Sequence, residues 1–377
     1  RLDSVITRVN TKEDKDNTIL LYYVGGEHID SQELAITKKG IIRGSTIGPM
    51  FYCGFKKGDV LFVSRNPHLK KAAKVDFDGI CSEKTFVLGT KNESVLLQDY
   101  IPIILQTDAF WQYCEDNKSG GVNYFINWST LAAYEFELPT IEEQKEIADK
   151  VWAAYRLKES YKKMIESTDE MVKSRFIEMS SKPDVPEMTL AELGTIGTGN
   201  TPSKQVNEYW DGDYPWVSAQ DMEGKYIHST IEGLTQSGKG KATIVPANSI
   251  LYVCRGSIGK MSINKIECGY NQSICSFHSD TINAEYVYHC LLNKERDIKN
   301  QGVGTSFNSI SKSEFAKIKI PVLDTNARTE FVSIVQQADK SKFGDFKSRF
   351  IEMFGKCEKQ QTIQSVCNLF IDGDWIE

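Results

Sequence analysis

The sequence predicts an α+β protein: two α/β domains in a pseudo-twofold arrangement, separated by two long antiparallel coiled-coil-like helices. Three observations carry this. The heptapeptide Lys-Ser-Arg-Phe-Ile-Glu-Met occurs at 173–179 and recurs letter for letter at 347–353, which marks an internal duplication or recombination. Each copy closes a stretch with apolar residues at helix-packing spacing. Finally, Gly58-Asp59-Val60-Leu61-Phe62-Val63-Ser64-Arg65 matches Asn248-Ser249-Ile250-Leu251-Tyr252-Val253-Cys254-Arg255. Both follow a turn, run as a strand and deliver an arginine at the end.

Taken in order, the elements are a first domain (1–138), a first spacer helix (139–182), a second domain (183–321), a shorter second spacer helix (322–355) and a tail (356–377). Each helix follows a strand-then-proline signal, Glu135-Phe136-Glu137-Leu138-Pro139 and Lys317-Ile318-Lys319-Ile320-Pro321, because proline ends the strand and precedes a helix. The first helix is expected from about Ile141 to Met179, with Ile147, Val151, Ala154, Tyr161, Ile165, Thr168 and Val172 as its seam and Lys158 interrupting it. At ~1.5 Å per residue it spans about 55–60 Å. The second is expected from about Arg328 to Phe354, with Phe331, Val335, Ala338, Phe346, Phe350 and Met353 as its stripe. Neither stripe satisfies itself. Two matched helices in one chain favour intramolecular antiparallel packing over an isolated coiled-coil homodimer. Pro139 and Pro321 lie 182 residues apart and the heptapeptides 174 apart, so the second helix is eight residues shorter. Gly120-Gly121-Val122-Asn123 corresponds to Gln301-Gly302-Val303-Gly304, and the tail Thr362–Trp375 reads as the opening of a third domain.

Composition excludes several classes. Hydrophobic residues make up 40% and charged residues 25% of the 377, as in a globular protein. No run approaches the roughly 18 apolar residues of a membrane span, and Arg1-Leu2-Asp3-Ser4 shows no signal-peptide pattern. Nine scattered cysteines without a C-x-x-C pair suit reduced thiols in the cytoplasm. The net charge of −6 argues against a nucleic-acid partner only until it is divided. Residues 1–135 carry 16 basic and 17 acidic groups and residues 188–322 carry 13 of each, so five of the six excess charges lie elsewhere.

The second half opens with Thr189-Leu190-Ala191-Glu192-Leu193-Gly194. It continues through Gly199-Asn200-Thr201-Pro202-Ser203, Tyr214-Pro215-Trp216-Val217, Arg255-Gly256-Ser257-Ile258-Gly259-Lys260 and Asn271-Gln272. The first half carries Tyr23-Val24-Gly25-Gly26-Glu27-His28-Ile29, Phe77-Asp78-Gly79-Ile80-Cys81-Ser82 and the helix start Leu138-Pro139-Thr140-Ile141-Glu142-Glu143-Gln144. In this order, and duplicated, these motifs resemble the DNA-specificity subunits of Type I restriction–modification systems. The resemblance covers nearly the whole chain. It implies two target-recognition domains, each reading one half of a bipartite, asymmetric site in double-stranded DNA. It also implies helices that set the gap and dock two methyltransferase subunits, with restriction subunits joining the full complex. The chain itself is then non-catalytic and binds no cofactor; S-adenosylmethionine, ATP and magnesium belong to the partners. Two other readings are the specificity half of a Type II-like methyltransferase–nuclease and a coiled-coil scaffold without a DNA role.

Candidate DNA contacts follow from residue chemistry. Residues 56–74 gather Lys56, Lys57, Arg65, Lys70, Lys71 and Lys74 against one acid, Asp59, together with Asn66 and His68. Lysines anchor phosphates, and arginine pairs guanine bidentately. In the second half Arg255, Ser257 and Lys260 sit among glycines that let backbone approach a phosphate, and Gln220, Asp221, Asn271 and Gln272 are candidate base readers. Three catalytic or metal patterns fail. Gly233–Gly240 has Walker A spacing but ends on glycine where Ser or Thr holds magnesium. Cys268, Cys275, His278, His289 and Cys290 miss zinc-knuckle spacing. Glu223-Gly224-Lys225 after Asp211 or Asp213 lacks the strand pair of a nuclease core.

Overall fold

The computed structural model describes residues 1–295 and 309–343. Contacts divide the chain into two compact units that part at Lys162 and Lys163, within one continuous helix. In the first unit, Ile6–Val9, Thr85–Thr90, Val60–Val63 and Ala72–Lys74 form an antiparallel sheet in that order. A second sheet runs Thr11–Lys12, Phe51–Phe55, Gly79–Ser82, Tyr22–Val24 and Gly40–Ile41, with Tyr22–Val24 parallel to Gly79–Ser82. The second unit repeats the plan. Thr195–Thr198, Ile274–His278, Ser249–Val253 and Met261–Asn264 form the first sheet, extended by Tyr226–Ile227. Ile244–Val245, Cys268–Tyr270, Trp210–Val217 and Glu232–Leu234 form the other, again with one parallel pair.

The matched segments are the central strands, and their alternation builds the layers. Val60 and Phe62 point into a core shared with helices, where Phe62 stacks on Trp111 at 5.9 Å. Leu61 turns to the opposite core, between the two sheets, with Val24, Phe55 and Val87. In the second unit Ile250 and Tyr252 face the helices, while Leu251 and Val253 face Val217 and Tyr270. Period-two alternation between two apolar layers explains why the chain is apolar at every position from Val60 to Val63 and from Ile250 to Val253. Each unit also closes on itself: the Leu2 N–H donates to Tyr134 O (2.7 Å), and the Leu190 N–H donates to Ile318 O (3.0 Å).

The first long helix spans Ile141–Ser180, about 60 Å at 1.5 Å per residue. Thr140 and Glu143 form a capping box at its start. The Thr140 N–H and hydroxyl both donate to Glu143 (2.9 Å each), and the Glu143 N–H donates back to Thr140 Oγ1 (3.3 Å). Ile147, Val151, Ala154, Tyr161 and Val172 are buried; Ile165 and Thr168 are half-buried. Within the first unit the described partner of this seam is the globular domain itself, including Leu96, Tyr100, Ile101 and Ile104. The second helix is described over Thr325–Phe343 and starts three residues earlier than expected. Asp324 caps it, accepting from the Asn326 and Ala327 N–H groups (2.9 Å each). Its Phe331, Val335 and Ala338 are buried with Val172, Phe176 and Met179 of the first helix, and Phe176 meets Phe331 at 5.4 Å.

One expectation fails. Lys319–Pro321 is a strand paired with Glu187–Thr189, whereas residues 135–139 form none. Phe346, Phe350, the second heptapeptide, Gln301–Gly304 and the 356–377 tail lie outside the described residues.

Candidate nucleic-acid interface

Two residues past the end of each central strand its arginine stands at a rim where several loops meet. In the first unit the strand runs into Ser64, whose N–H donates to Lys84 O (2.9 Å) and whose carbonyl accepts from the Ile126 N–H (2.8 Å). Arg65 forms a bridge with Phe125 and its guanidinium lies 5.2 Å from that ring's centre. The Asn66 N–H donates to Tyr124 O (2.9 Å). Asn66 (φ 51°) and Lys70 (φ 49°) adopt left-handed backbone, folding Pro67–Leu69 into a tight turn that leaves His68 exposed. Asn tolerates that conformation better than most residues. Lys71 reaches across to Gly26 O (2.6 Å), while the Gly25 N–H donates to His28 Nδ1 (2.9 Å). Beside Arg65, reciprocal bonds between Ser119 and Phe125 close a short loop (2.9 and 3.0 Å). Gly120 is required there: φ is +99°, and a Cβ would sit 2.6 Å from Asn123 O. The loop carries Val122 at 95% exposure.

The second unit builds the same rim from different side chains. The Cys254 N–H donates to Ser273 O (2.8 Å), the Ile310 N–H donates to Cys254 O (2.9 Å), and Arg255 bridges Ser309. These are the counterparts of the bonds at Ser64 and Arg65. Gly256 (φ 81°) and Gly259 (φ 94°) turn the chain so that Arg255 and Ser257 stand exposed, with Lys260 half-buried. The Asn271 N–H donates to Val217 O (2.9 Å), which brings the Asn271–Ser273 and Ser218–Asp221 turns to the same rim. Gln220 and Gln272 are exposed, and Gln272 is hydrogen-bonded to Thr201. Asn271 Oδ1 accepts from the Ser273 N–H and hydroxyl (2.8 Å each). Asp221 accepts from the Ser218 N–H and hydroxyl (2.7 and 2.8 Å) and from the Ile231 N–H (2.7 Å). Its carboxylate therefore shapes the turn, as His28 does in the first unit.

The basic run of residues 56–74 is not one patch. Val60–Val63 separates its two ends: Arg65, Asn66, Lys70 and Lys71 gather at the rim, while Lys56 and Lys57 lie exposed at the far end of the strand. Lys74 pairs opposite Val60, also at the far end, and forms an ion pair with Asp99. In the Walker-like segment, Lys239 lies 4.0 Å from the Tyr214 ring centre and 3.3 Å from Glu267, and Gly238 packs on Tyr209. Sequence reading missed Gln144, Glu33 and Val122. Gln144 is fully buried, accepts from the Leu97 N–H (3.0 Å), and donates to Val95 O (2.9 Å) and Pro139 O (2.8 Å). An uncharged polar residue one position past a capping box was the available signal. No helix among the described residues is long and apolar enough to cross a membrane.

Comparison with known proteins places this geometry. Residues 183–344 match the family described as the Type I restriction modification DNA specificity domain. Over 166 residues the chain is 31% identical to the specificity subunit of the Type I restriction enzyme EcoR124I/EcoR124II of Escherichia coli, covering 41% of each. Over 158 residues it is 25% identical to the MjaIX specificity subunit of Methanocaldococcus jannaschii, covering 40% of this chain and 37% of that one. The chain thus spans about two-fifths of the length of the curated relatives it matches. In fold it is similar to the S subunit of a Type I restriction–modification system from M. genitalium, with a TM-score of 0.64 at 14% identity over 97% of this chain and 94% of that one. A second structure, from work on assembly and conformational transition of a type I system, gives a TM-score of 0.51 at 18% identity, covering 100% and 96%. The second half therefore matches the Type I restriction modification DNA specificity domain, and along its length the chain shares the fold of a solved S subunit of a Type I restriction–modification system.

Proposed function

We propose that this chain is the DNA-reading subunit of its enzyme, each domain reading one half of a bipartite, asymmetric site in double-stranded DNA. The observation that carries the reading is the rim built twice, with Arg65 and Arg255 each two residues past the end of the equivalent central strand. An arginine held there pairs guanine O6 and N7 bidentately, and the neighbouring lysines hold phosphates. The two helices set the gap between half-sites. The outward face of the first, which exposes Met164, Met171 and Ile177, suits docking of two methyltransferase subunits, and restriction subunits complete the assembly. The chain is non-catalytic and works in the cytoplasm. S-adenosylmethionine, ATP and magnesium bind to the partners.

The test is a map of methylated sites in cells carrying the chain with its methyltransferase. One bipartite motif is expected. Arg65→Ala should relax one half-site and Arg255→Ala the other, each by about 1–3 kcal/mol of discrimination. Methyl transfer by the isolated chain, or equal affinity for every duplex, overturns the proposal.

A further inference from the structure

Each recognition domain grips its helix through a buried cluster of charges, and the two clusters have opposite polarity. In the first unit the helix supplies the cation: Lys158 Nζ lies 2.8 Å from Glu33 Oε1, with the two side chains only 6% and 18% exposed. Lys162 joins at 3.3 Å. In the second unit the helix supplies the anion: Asp339 lies 2.7 Å from Lys225 Nζ and accepts from the Tyr226 hydroxyl at 2.9 Å. Lys225 also lies 2.9 Å from Glu285, which Lys265 approaches at 3.3 Å.

The clusters occupy matching places. Lys158 stands 19 residues after Pro139, and Asp339 stands 18 after Pro321. On the domain side, the Lys74 N–H donates to Leu34 O and the Ile263 N–H donates to Lys225 O, in equivalent parallel bridges. Lys225 is therefore the counterpart of Leu34, one position from Glu33.

We propose that these clusters are positioning devices, fixing the register at which each domain sits on its helix and thereby the number of base pairs between half-sites. This rests on the DNA-reading function. The seam around Lys158 is otherwise apolar, and an apolar pair would stabilise the contact as well or better. What ions add is intolerance of slippage, since a displaced domain leaves buried charges unpaired. Slipping by one helical turn moves a domain about 5.4 Å, more than the ~3.4 Å rise of one base pair. Lys158, Glu33, Lys225 and Asp339 are positioning residues; none is placed at the rim.

The experiment maps methylated sites made by the full chain with its methyltransferase, beside thermal melting of the purified assembly. E33M/K158M is expected to stay folded and read the same bases, but to relax selectivity for the parental gap at least about tenfold. The reversed cluster E33K/K158E/K162E is expected to restore the single gap. A strict parental gap in folded E33M/K158M overturns the proposal, as does a reversed cluster no stricter than the apolar one. If E33M/K158M does not fold, the reversed cluster decides alone: a single gap supports the proposal, and a broadened or lost one overturns it. If the parental chain gives no bipartite motif, the DNA-reading function itself fails.

Discussion

Gln144 shows how much one side chain can hold. Its amide ties the start of the long helix to the Val95–Leu97 loop through two bonds and to the Pro139 carbonyl through a third, in a fully buried setting. Gln144→Leu fills the volume but strands the Leu97 N–H and the Val95 carbonyl, so unfolding free energy should fall by about 1–3 kcal/mol in denaturant titration. Thiol chemistry gives a second check. Cys53 faces Cys81 across antiparallel strands. The Cys81 thiol pulls the Cys53 pKa down to about 7, assisted by Arg8 and opposed by burial. Burial pushes Cys114 up to about 12. The nucleophile is the thiolate, so labelling of Cys53 by iodoacetamide should rise through about pH 7 and level off, while Cys114 stays unlabelled at that pH. Mass spectrometry of the peptides reads both.

At the scale of elements, periodicity made the helices legible and local composition misled. The spacing of Ile147, Val151 and Ala154 sufficed for a helix that ends within one residue of the expected position. Lys158 read as a flaw because its partner, Glu33, is 125 residues away, a distance no sequence window spans. Lys56 to Lys74 read as one patch because charge counting ignores a strand that carries its two ends apart. The missing strand at 135–139 has the same origin: alternation proposes a strand, but only a neighbour with free backbone groups makes one. The base-reading candidates were found as types and not as geometries. Asp221 and Asn271 turned out to hold turns together, as short polar side chains often do.

For the whole molecule, the stretch from Lys163 to Met171 contains no buried residue. It is therefore the place where the ruler can be cut without disturbing either core. Deleting four residues there shortens the helix by about 6 Å, so the gap should close by about two base pairs while the bases read stay the same. Methylation mapping checks this, and an unchanged gap refutes the ruler. The duplication itself was visible as a repeated heptapeptide. That it extends to the order of strands and to paired backbone bonds was not, because outside the heptapeptide only short segments keep a visible match. The stitch from Leu2 to Tyr134, repeated from Leu190 to Ile318, has one more consequence. A domain whose first and last residues are bonded to each other behaves as a cartridge with a single mouth. Whatever loops fill it, the spindle beneath receives the same two chain ends at the same point, so new reading surfaces can be loaded without recutting the shaft.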